Sequence, residues 1–547
     1  MSIFKSMFVA ALATISLASC GSVKNIEERP VQTMETIVAM PQKKGAIGEE
    51  QFNHWAHADL VADTIPGISL DKAYKFLEGK KGVTVIVGVI DSGIDIEHED
   101  LKDVLWTNTN EIAGNGIDDD NNGYVDDIYG WNFLGGNGDA APEQLEITRI
   151  VAKLNPRFEG KSLTDISEAD KADFTKYLEY AEAYKEASSR HFQTLSRMEQ
   201  IGENFVAVKN MLGKDSFTLE DLQGVNTEDE KLKRQVGDLI GLFGRGLDEA
   251  AYLDYYESQK KNKNYDLNFD GRAIVGDNPE DINDTKYGNG FVIGSKDEES
   301  HGTHVAGIIL ASRDNNKGMQ GVAHNAKLMS VRAVPDGDER DKDVALAIRY
   351  AVDNGAKVIN MSFGKSYSPN KEWVLDAIKY AAEKDVLLVH AAGNDSKNID
   401  VKDNWPNDSE DKVNEISDNV ITIGALSANF NENMPATFSN YGKLNVDVFA
   451  PGVQIYSTVP KDEYAKYSGT SMASPEVAGI ATLIRSYYPQ LTASQVKHII
   501  MNSGVKVNLQ VLVPGQKGEK AAFSGLSKAG SIANAYNALL LADKMVN

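Results

Sequence analysis

Residues Val85–Asp95 read V-I-V-G-V-I-D-S-G-I-D. The run Val83–Ile90 is apolar and rich in β-branched side chains at successive positions, with no alternation of wet and dry residues. That pattern predicts a strand covered on both faces, as in a parallel sheet flanked by helices, and it places Asp91 at the strand's carboxyl end. Open α/β sheets build their sites at that end. Two further blocks stand out: His301–Gly307 (H-G-T-H-V-A-G) and Gly469–Pro475 (G-T-S-M-A-S-P). Helical patterns follow both, over Val305–Ser312 and Met472–Tyr487, so His301 and Ser471 fall at helix amino termini, where developing negative charge is stabilised.

The three blocks carry an acid, a base and a nucleophile. A serine hydroxyl near pH 7 is a weak nucleophile until an imidazole takes its proton and a carboxylate holds that imidazole in the right tautomer. Asp91, His301 and Ser471 fit those roles. Each residue alone has a blander use: a serine before a helix is a common N-cap, and an aspartate after a strand is a common turn residue. Ser474 falls in the first turn beside Pro475 and reads as structural. His54, His57, His191, His324 and His390 show no metal-ligand spacing and read as solvated or core histidines.

The D-S-G, H-G-T-H-V-A-G and G-T-S-M-A-S-P blocks, in the order Asp, His, Ser, resemble those of the subtilases, the subtilisin-like serine proteases. The resemblance covers Ile65–Gly93 and Glu299–Val507. It implies that His301 is the catalytic histidine and His304 a structural one. It also implies that Asn394, ending Val386–Asn394 (V-L-L-V-H-A-A-G-N), donates to the oxyanion together with the Ser471 N–H. Losing such a side-chain donor costs about 2.7–4 kcal/mol of transition-state stabilisation, a figure that comes from subtilisin. Asn360–Lys365 (N-M-S-F-G-K) resembles the family's substrate-binding strand, so Ser362, Phe363 and Gly364 are expected to pair with an extended peptide. With Ala391, Ala392 and Gly393 they are expected to wall a tolerant, mainly apolar specificity pocket. Asp336–Asp343 falls where relatives bind residues further from the scissile bond; its charge could favour basic side chains there or mark a solvated turn, and the turn is the expectation. Two departures are visible: Glu99 replaces a proline after His98, and Glu476 stands where many relatives have histidine. Neither touches the triad, and His98 reads as packing.

From Asn264 onward, segments such as Leu328–Val334, Asp343–Asp353, Lys357–Phe363, Trp373–Glu383, Val386–Ala392, Val420–Ser427 and Val446–Ala450 alternate strand and helix patterns. The expected fold is therefore α/β, a doubly wound parallel sheet. A chain of 547 residues exceeds one ordinary domain, and His301 lies 210 positions after Asp91 where compact subtilases need only a few dozen. Residues 142–263 read as a helical insertion, with 53–141 and 264–547 as the two parts of the catalytic domain. Within the insertion Phe174, Leu178, Ala181 and Tyr184, then Phe192, Leu195, Met198, Ile201, Phe205, Val208 and Met211 recur at helical spacing. A second stripe, Leu232, Val236, Leu239, Phe243 and Leu247, follows a capping-box signature at Thr227 and Glu230. A helical hairpin or small bundle overhanging the substrate cleft is expected.

Two acidic loops suggest calcium. Asp118–Asp127 (D-D-D-N-N-G-Y-V-D-D) offers Asp118, Asp120, Asn122, the Tyr124 carbonyl and Asp126 at alternating positions about Gly123. Asp266–Asp277 sets Asp266, Asn268, Asp270 and Asp277 at EF-hand-like places, with aspartate where a bidentate glutamate is usual. The formal net charge is −24, from 80 acidic and 56 basic residues, which argues against nucleic acid as a partner. Protein or peptide is the expected substrate.

The amino terminus has Lys5, an apolar core from Met7 to Leu17 and then small residues, the build of a signal peptide over 1–19. Leu17-Ala18-Ser19-Cys20 resembles a bacterial lipobox, which implies cleavage before Cys20, lipid on its sulfur and anchoring to a membrane. Gly21 fits outer-membrane sorting. Cys20 is the only cysteine, so no internal disulfide can form. Residues 20–52 read as a tether or short pro-segment, too short for the folded pro-domain that typical secreted subtilases carry.

Overall fold

The computed structural model describes residues 36–37, 48–243 and 248–547. The signal peptide, Cys20, Leu247 and most of the expected tether lie outside these residues.

Seven strands form one wholly parallel sheet: β1 (Val85–Asp91), β2 (Gly130–Asn132), β3 (Ala326–Arg332), β4 (Val358–Met361), β5 (Leu387–Ala391), β6 (Val420–Leu426) and β7 (Val448–Pro451). Their order is β2-β3-β1-β4-β5-β6-β7. The unbroken apolar runs follow from burial on both faces, because successive side chains point to opposite sides. Val87, Val89, Leu387 and Val389 face one core, while Ile90, Ile359 and Leu388 face another. Register then places the active residues. Ile90 pairs with Met361, and Met361 with His390, so the chain leaves the sheet at Asp91, Ser362 and Ala391 along one rim.

The insertion is helical, comprising α1 (Glu146–Phe158), α2 (Lys171–Leu212), α3 (Glu230–Phe243) and α4 (Glu249–Lys261), with the short helix Leu219–Gln223 between α2 and α3. In the body of the protein α5 (His301–Leu310), α8 (Thr470–Tyr487), α9 (Ala493–Ser503) and α10 (Ala535–Val546) cover the first face of the sheet, and α6 (Asp341–Asp353) and α7 (Lys371–Glu383) cover the second. The sequence does not foretell β2, a three-residue edge strand contributed by the long segment between Asp91 and His301.

At 42 residues, α2 is one continuous rod, about 63 Å long at 1.5 Å per residue. Its apolar stripe is not covered throughout. Near its start Phe174 and Tyr177 pack with Phe158 of α1, and near its end Met198, Phe205 and Val208 pack with Leu222, Val236, Leu239 and Tyr252. Between these two small cores Leu178 is 47 % exposed and Phe192 55 % exposed, although periodicity alone puts both in a core. Other faces of the same stretch meet the body of the protein, with Tyr180 on Tyr367, the Tyr184 hydroxyl donating to the Tyr265 carbonyl at 2.9 Å and His191 on Tyr265, so it is the outward side of the stripe that stays wet.

The root of the insertion is bound by charge. Lys365, just past Ser362–Gly364, is buried and holds Glu146 and Asp341, both at 2.8 Å, and the Glu339 carbonyl at 2.7 Å. Arg149 bonds Glu146 at 2.5 Å and the Asp338 carbonyl at 2.9 Å. Despite burial, which acts to raise it, the Glu146 carboxyl is held down at about 2 by Lys365 and Arg149. Lys365→Met would leave buried Asp341 without its cation and Glu146 with Arg149 alone, and breaking a buried pair typically costs about 3–5 kcal/mol. Urea unfolding should show a destabilisation of that order, whereas Arg157→Met, in a solvated pair with Asp173, should barely move the midpoint.

Candidate active site

Asp91 is the last residue of β1 and His301 the first of α5, and the two meet because Gly302 lets the helix end press on the loop after β1. A Cβ on Gly302 would lie 2.3 Å from the Gly93 carbonyl and 3.2 Å from the Asp91 Cβ. The Asp91 Oδ1 bonds His301 Nδ1 at 2.7 Å and accepts the Ser92 N–H at 2.8 Å. Asp91 is buried, while the His301 side chain is 39 % exposed on the cleft. Enclosure of the ring acts to lower its pKa, but the Asp91 carboxylate more than offsets this and holds it above the ordinary 6.5.

Ser471 occupies the second position of α8. Its hydroxyl donates to the Ser362 carbonyl at 3.1 Å, and the Ser362 hydroxyl donates back to the Ser471 carbonyl at 2.9 Å. Among the described residues it makes no hydrogen bond to His301. Ser471, His301 and Asp91 nonetheless line one cavity of about 510 Å³. Asn394 stands exposed on the same cavity, and its amide oxygen is occupied by the Thr470 N–H at 2.8 Å and the Thr470 hydroxyl at 2.9 Å. The remaining end of that amide is a donor.

Ser362, Phe363, Gly364, Ala391 and Gly393 also line the cavity, as expected. Ala392 does not: it is fully buried and packs in a core with Leu426 and Phe449, on the opposite side of the segment from Ala391. Glu298, Glu299, Asp336, Glu339 and Asp395 also border the cleft as a whole. Asp336 therefore lies on the cleft and not merely on a solvated turn. Asn404 is a wall residue that sequence reading misses. Its side-chain oxygen sits 3.1 Å from where a Gly393 Cβ would be and 3.4 Å from a Gly364 Cβ, closing the recess between them, yet nothing around position 404 signals that role.

The other singled-out residues are structural. His304 is buried, stacks on Tyr467 and bonds the Ile455 and Ala465 carbonyls at 3.1 Å; burial holds its pKa down at about 3. His98 bonds the Glu463 carbonyl at 3.1 Å, and Ser474 donates to Asn360 at 2.8 Å. Glu476 is buried, and desolvation raises its carboxyl well above the usual range.

The acidic loops differ from their reading. In the first, Glu111, Asp120 and Asp127 converge, each with a carboxylate oxygen within 4.8 Å of the others. Burial raises Asp127 to about 6. Of the five expected ligands only Asp120 belongs to this group. The Asp126 carboxylate turns to the N–H groups of Gly114 and Gly116 at 2.7 and 2.9 Å, and Asp118 binds the Asn122 and Gly123 N–H groups of its own turn. Asn122 donates to Asp127 at 3.1 Å and accepts the Tyr124 N–H at 2.8 Å. In the second loop the calcium reading fails on charge. Asp277 is fully buried between Arg272 at 2.5 Å and Lys342 at 2.6 Å, so its charge is already matched. Asp266 accepts the Asn268 N–H and Asp270 the Arg272 N–H, as in ordinary turns.

On its far side the cleft shares Gly364, Asp395 and Asn404 with a recess of about 710 Å³, whose opposite wall includes Ala183, Glu186 and Arg190 of α2. The helical insertion thus flanks the cleft beside the substrate-binding segment.

Residues 82–525 match the model of the subtilase family. The chain is 43 % identical over 192 residues to a thermophilic serine proteinase of Bacillus sp. strain AK1, which covers 35 % of this chain and 43 % of that protein. It is 37 % identical over 230 residues to subtilisin DY of Bacillus licheniformis, with 40 % and 77 % covered, and 38 % identical over 209 residues to thermitase of Thermoactinomyces vulgaris, with 38 % and 68 % covered. The chain belongs to the subtilase family, a family of serine-type endopeptidases. It spans under half the length of the first of these relatives.

Proposed function

We propose that the chain hydrolyses peptide bonds of proteins through an acyl-enzyme, with Ser471 as nucleophile, His301 as proton carrier, Asp91 as the group that orients His301, and Asn394 with the Ser471 N–H as oxyanion donors. The observation that carries this reading is the 2.7 Å bond from the buried Asp91 to His301 at the edge of the cavity that Ser471 lines. A peptide pairing with Ser362–Gly364 would present an N–H to the Ser362 carbonyl and displace the Ser471 hydroxyl from it. A turn about the serine Cα–Cβ bond then aims the hydroxyl at the imidazole. The Ser471 oxygen attacks the scissile carbonyl carbon, and its proton passes to His301, which returns it to the leaving amine as the C–N bond breaks. Water repeats the sequence on the ester and restores Ser471.

A fluorophosphonate probe should label the protein, and Ser471→Ala should abolish both labelling and hydrolysis. Asn394→Leu should lower kcat by about 10²–10³ with little change in KM. Because the base must be neutral and Asp91 raises its pKa, kcat/KM should climb with pH through a midpoint above the ordinary 6.5. Labelling that persists in Ser471→Ala would refute the assignment.

Calcium belongs to the same proposal, at Glu111, Asp120 and Asp127. Three carboxylates held this close repel one another, and an all-oxygen set suits a hard cation that would relieve the repulsion. Calorimetry with and without chelator should show a lower melting temperature on chelation, and Asp127→Asn should remove the difference. An identical transition in both conditions excludes the site.

Export and lipid anchoring at Cys20 rest on the Met7–Leu17 core and the Leu17–Cys20 motif. Metabolic labelling with a radioactive fatty acid should mark the wild type and not Cys20→Ala, which should leave the membrane fraction. Equal labelling of both would remove the anchor.

A further inference from the structure

Glu339 borders the cleft with 2 % exposure, and its Oε1 has no hydrogen-bond partner among the described residues. Burial pushes its carboxyl up to about 8. The nearest cation, Lys365, is already engaged by Glu146, Asp341 and the Glu339 carbonyl. Nearer the mouth of the cleft, Asp336 and Glu298 are exposed, and the Glu298 charge reinforces the upward shift that enclosure gives Asp336. Neither forms an ion pair among the described residues. Glu299 is matched by Arg332 at 2.8 Å, and Asp395 by Lys397 at 3.5 Å. No lysine or arginine among the described residues lines this cavity.

A buried carboxyl without a partner is costly, and unpaired like charges beside it deepen the cost. The missing counterpart is a cation that arrives from the cleft. We infer that Glu339, with Asp336 and Glu298 at its entrance, forms a recognition site for a lysine or arginine side chain of the substrate, on the acyl side of the bond to be cut. The inference rests on the peptidase reading and narrows it to substrates that carry a basic residue at one fixed position.

The test uses the full chain and internally quenched peptides of one sequence, in which each position before the scissile bond is in turn arginine, lysine or glutamine. At one position the basic residues should raise kcat/KM over glutamine by about tenfold or more, mainly through KM. That advantage should shrink as salt is raised. Glu339→Gln and Asp336→Asn should each reduce the basic-to-neutral ratio, the first to within about twofold. If Glu339→Gln does not fold, the wild-type ratio and Asp336→Asn decide. Cleavage with no basic preference at any position, or a preference that neither substitution reduces, overturns this inference and leaves the peptidase reading standing. Absence of Ser471-dependent cleavage of every peptide overturns both.

Discussion

The bond between Asp91 and His301 depends on a close approach that few residues permit. A parallel strand must end, and a helix must begin, within one hydrogen-bond length, and the carbonyl of Gly93 occupies the space any side chain at 302 would need. The sheet supplies the rest of the alignment. Because β1, β4 and β5 run parallel and in register, Asp91, Ser362 and Ala391 emerge side by side, and α8 delivers Ser471 onto the Ser362 carbonyl. Side chains 210 positions apart, at Asp91 and His301, reach one cavity with Ser471.

Much of this was legible in the residues because each piece is local. An apolar run with no alternation means a doubly covered strand, a glycine beside a histidine or serine means a close backbone approach, and the three blocks keep a fixed order. Element boundaries moved by only a few residues: Val83–Ile90 became Val85–Asp91, and Asp343–Asp353 became Asp341–Asp353. What failed was less local. The resemblance carries the whole run Ala391–Gly393 to the wall, but consecutive residues leave a strand on opposite sides, and Ala392 turns inward. The acidic loop was read by alternation within one segment, whereas the carboxylates that converge include Glu111, nine residues before Asp120. Asp277 looked free until the fold brought Lys342 to it.

Charge is the recurring theme of the region around the insertion. Lys365, Arg149, Arg272 and Lys342 are all buried or nearly so; Lys365, Lys342 and Arg272 are matched to carboxylates from distant segments, and Arg149 to Glu146 one turn before it. Such networks stabilise little on balance, since desolvation offsets attraction, but they penalise any arrangement that leaves one member alone. They fix where the insertion meets the catalytic body. Glu339 lies in the same neighbourhood without a match, and that contrast makes it informative.

The long helix α2 is held along its first half, by Phe158 near its start and then by Tyr367 and Tyr265, and carries a separate small core near its far end. It therefore behaves as a lever whose fulcrum lies where Tyr265 meets Tyr184 and His191, and whose load is the small core around Phe205 and Leu239. A tilt of about 10° at the fulcrum would carry the far end, about 32 Å beyond His191, through about 5 Å, given 1.5 Å of rise per residue. Whatever weight rests on that distant core is transmitted to the backbone beside Gly364, a mechanical link between a remote surface and the bottom of the cleft.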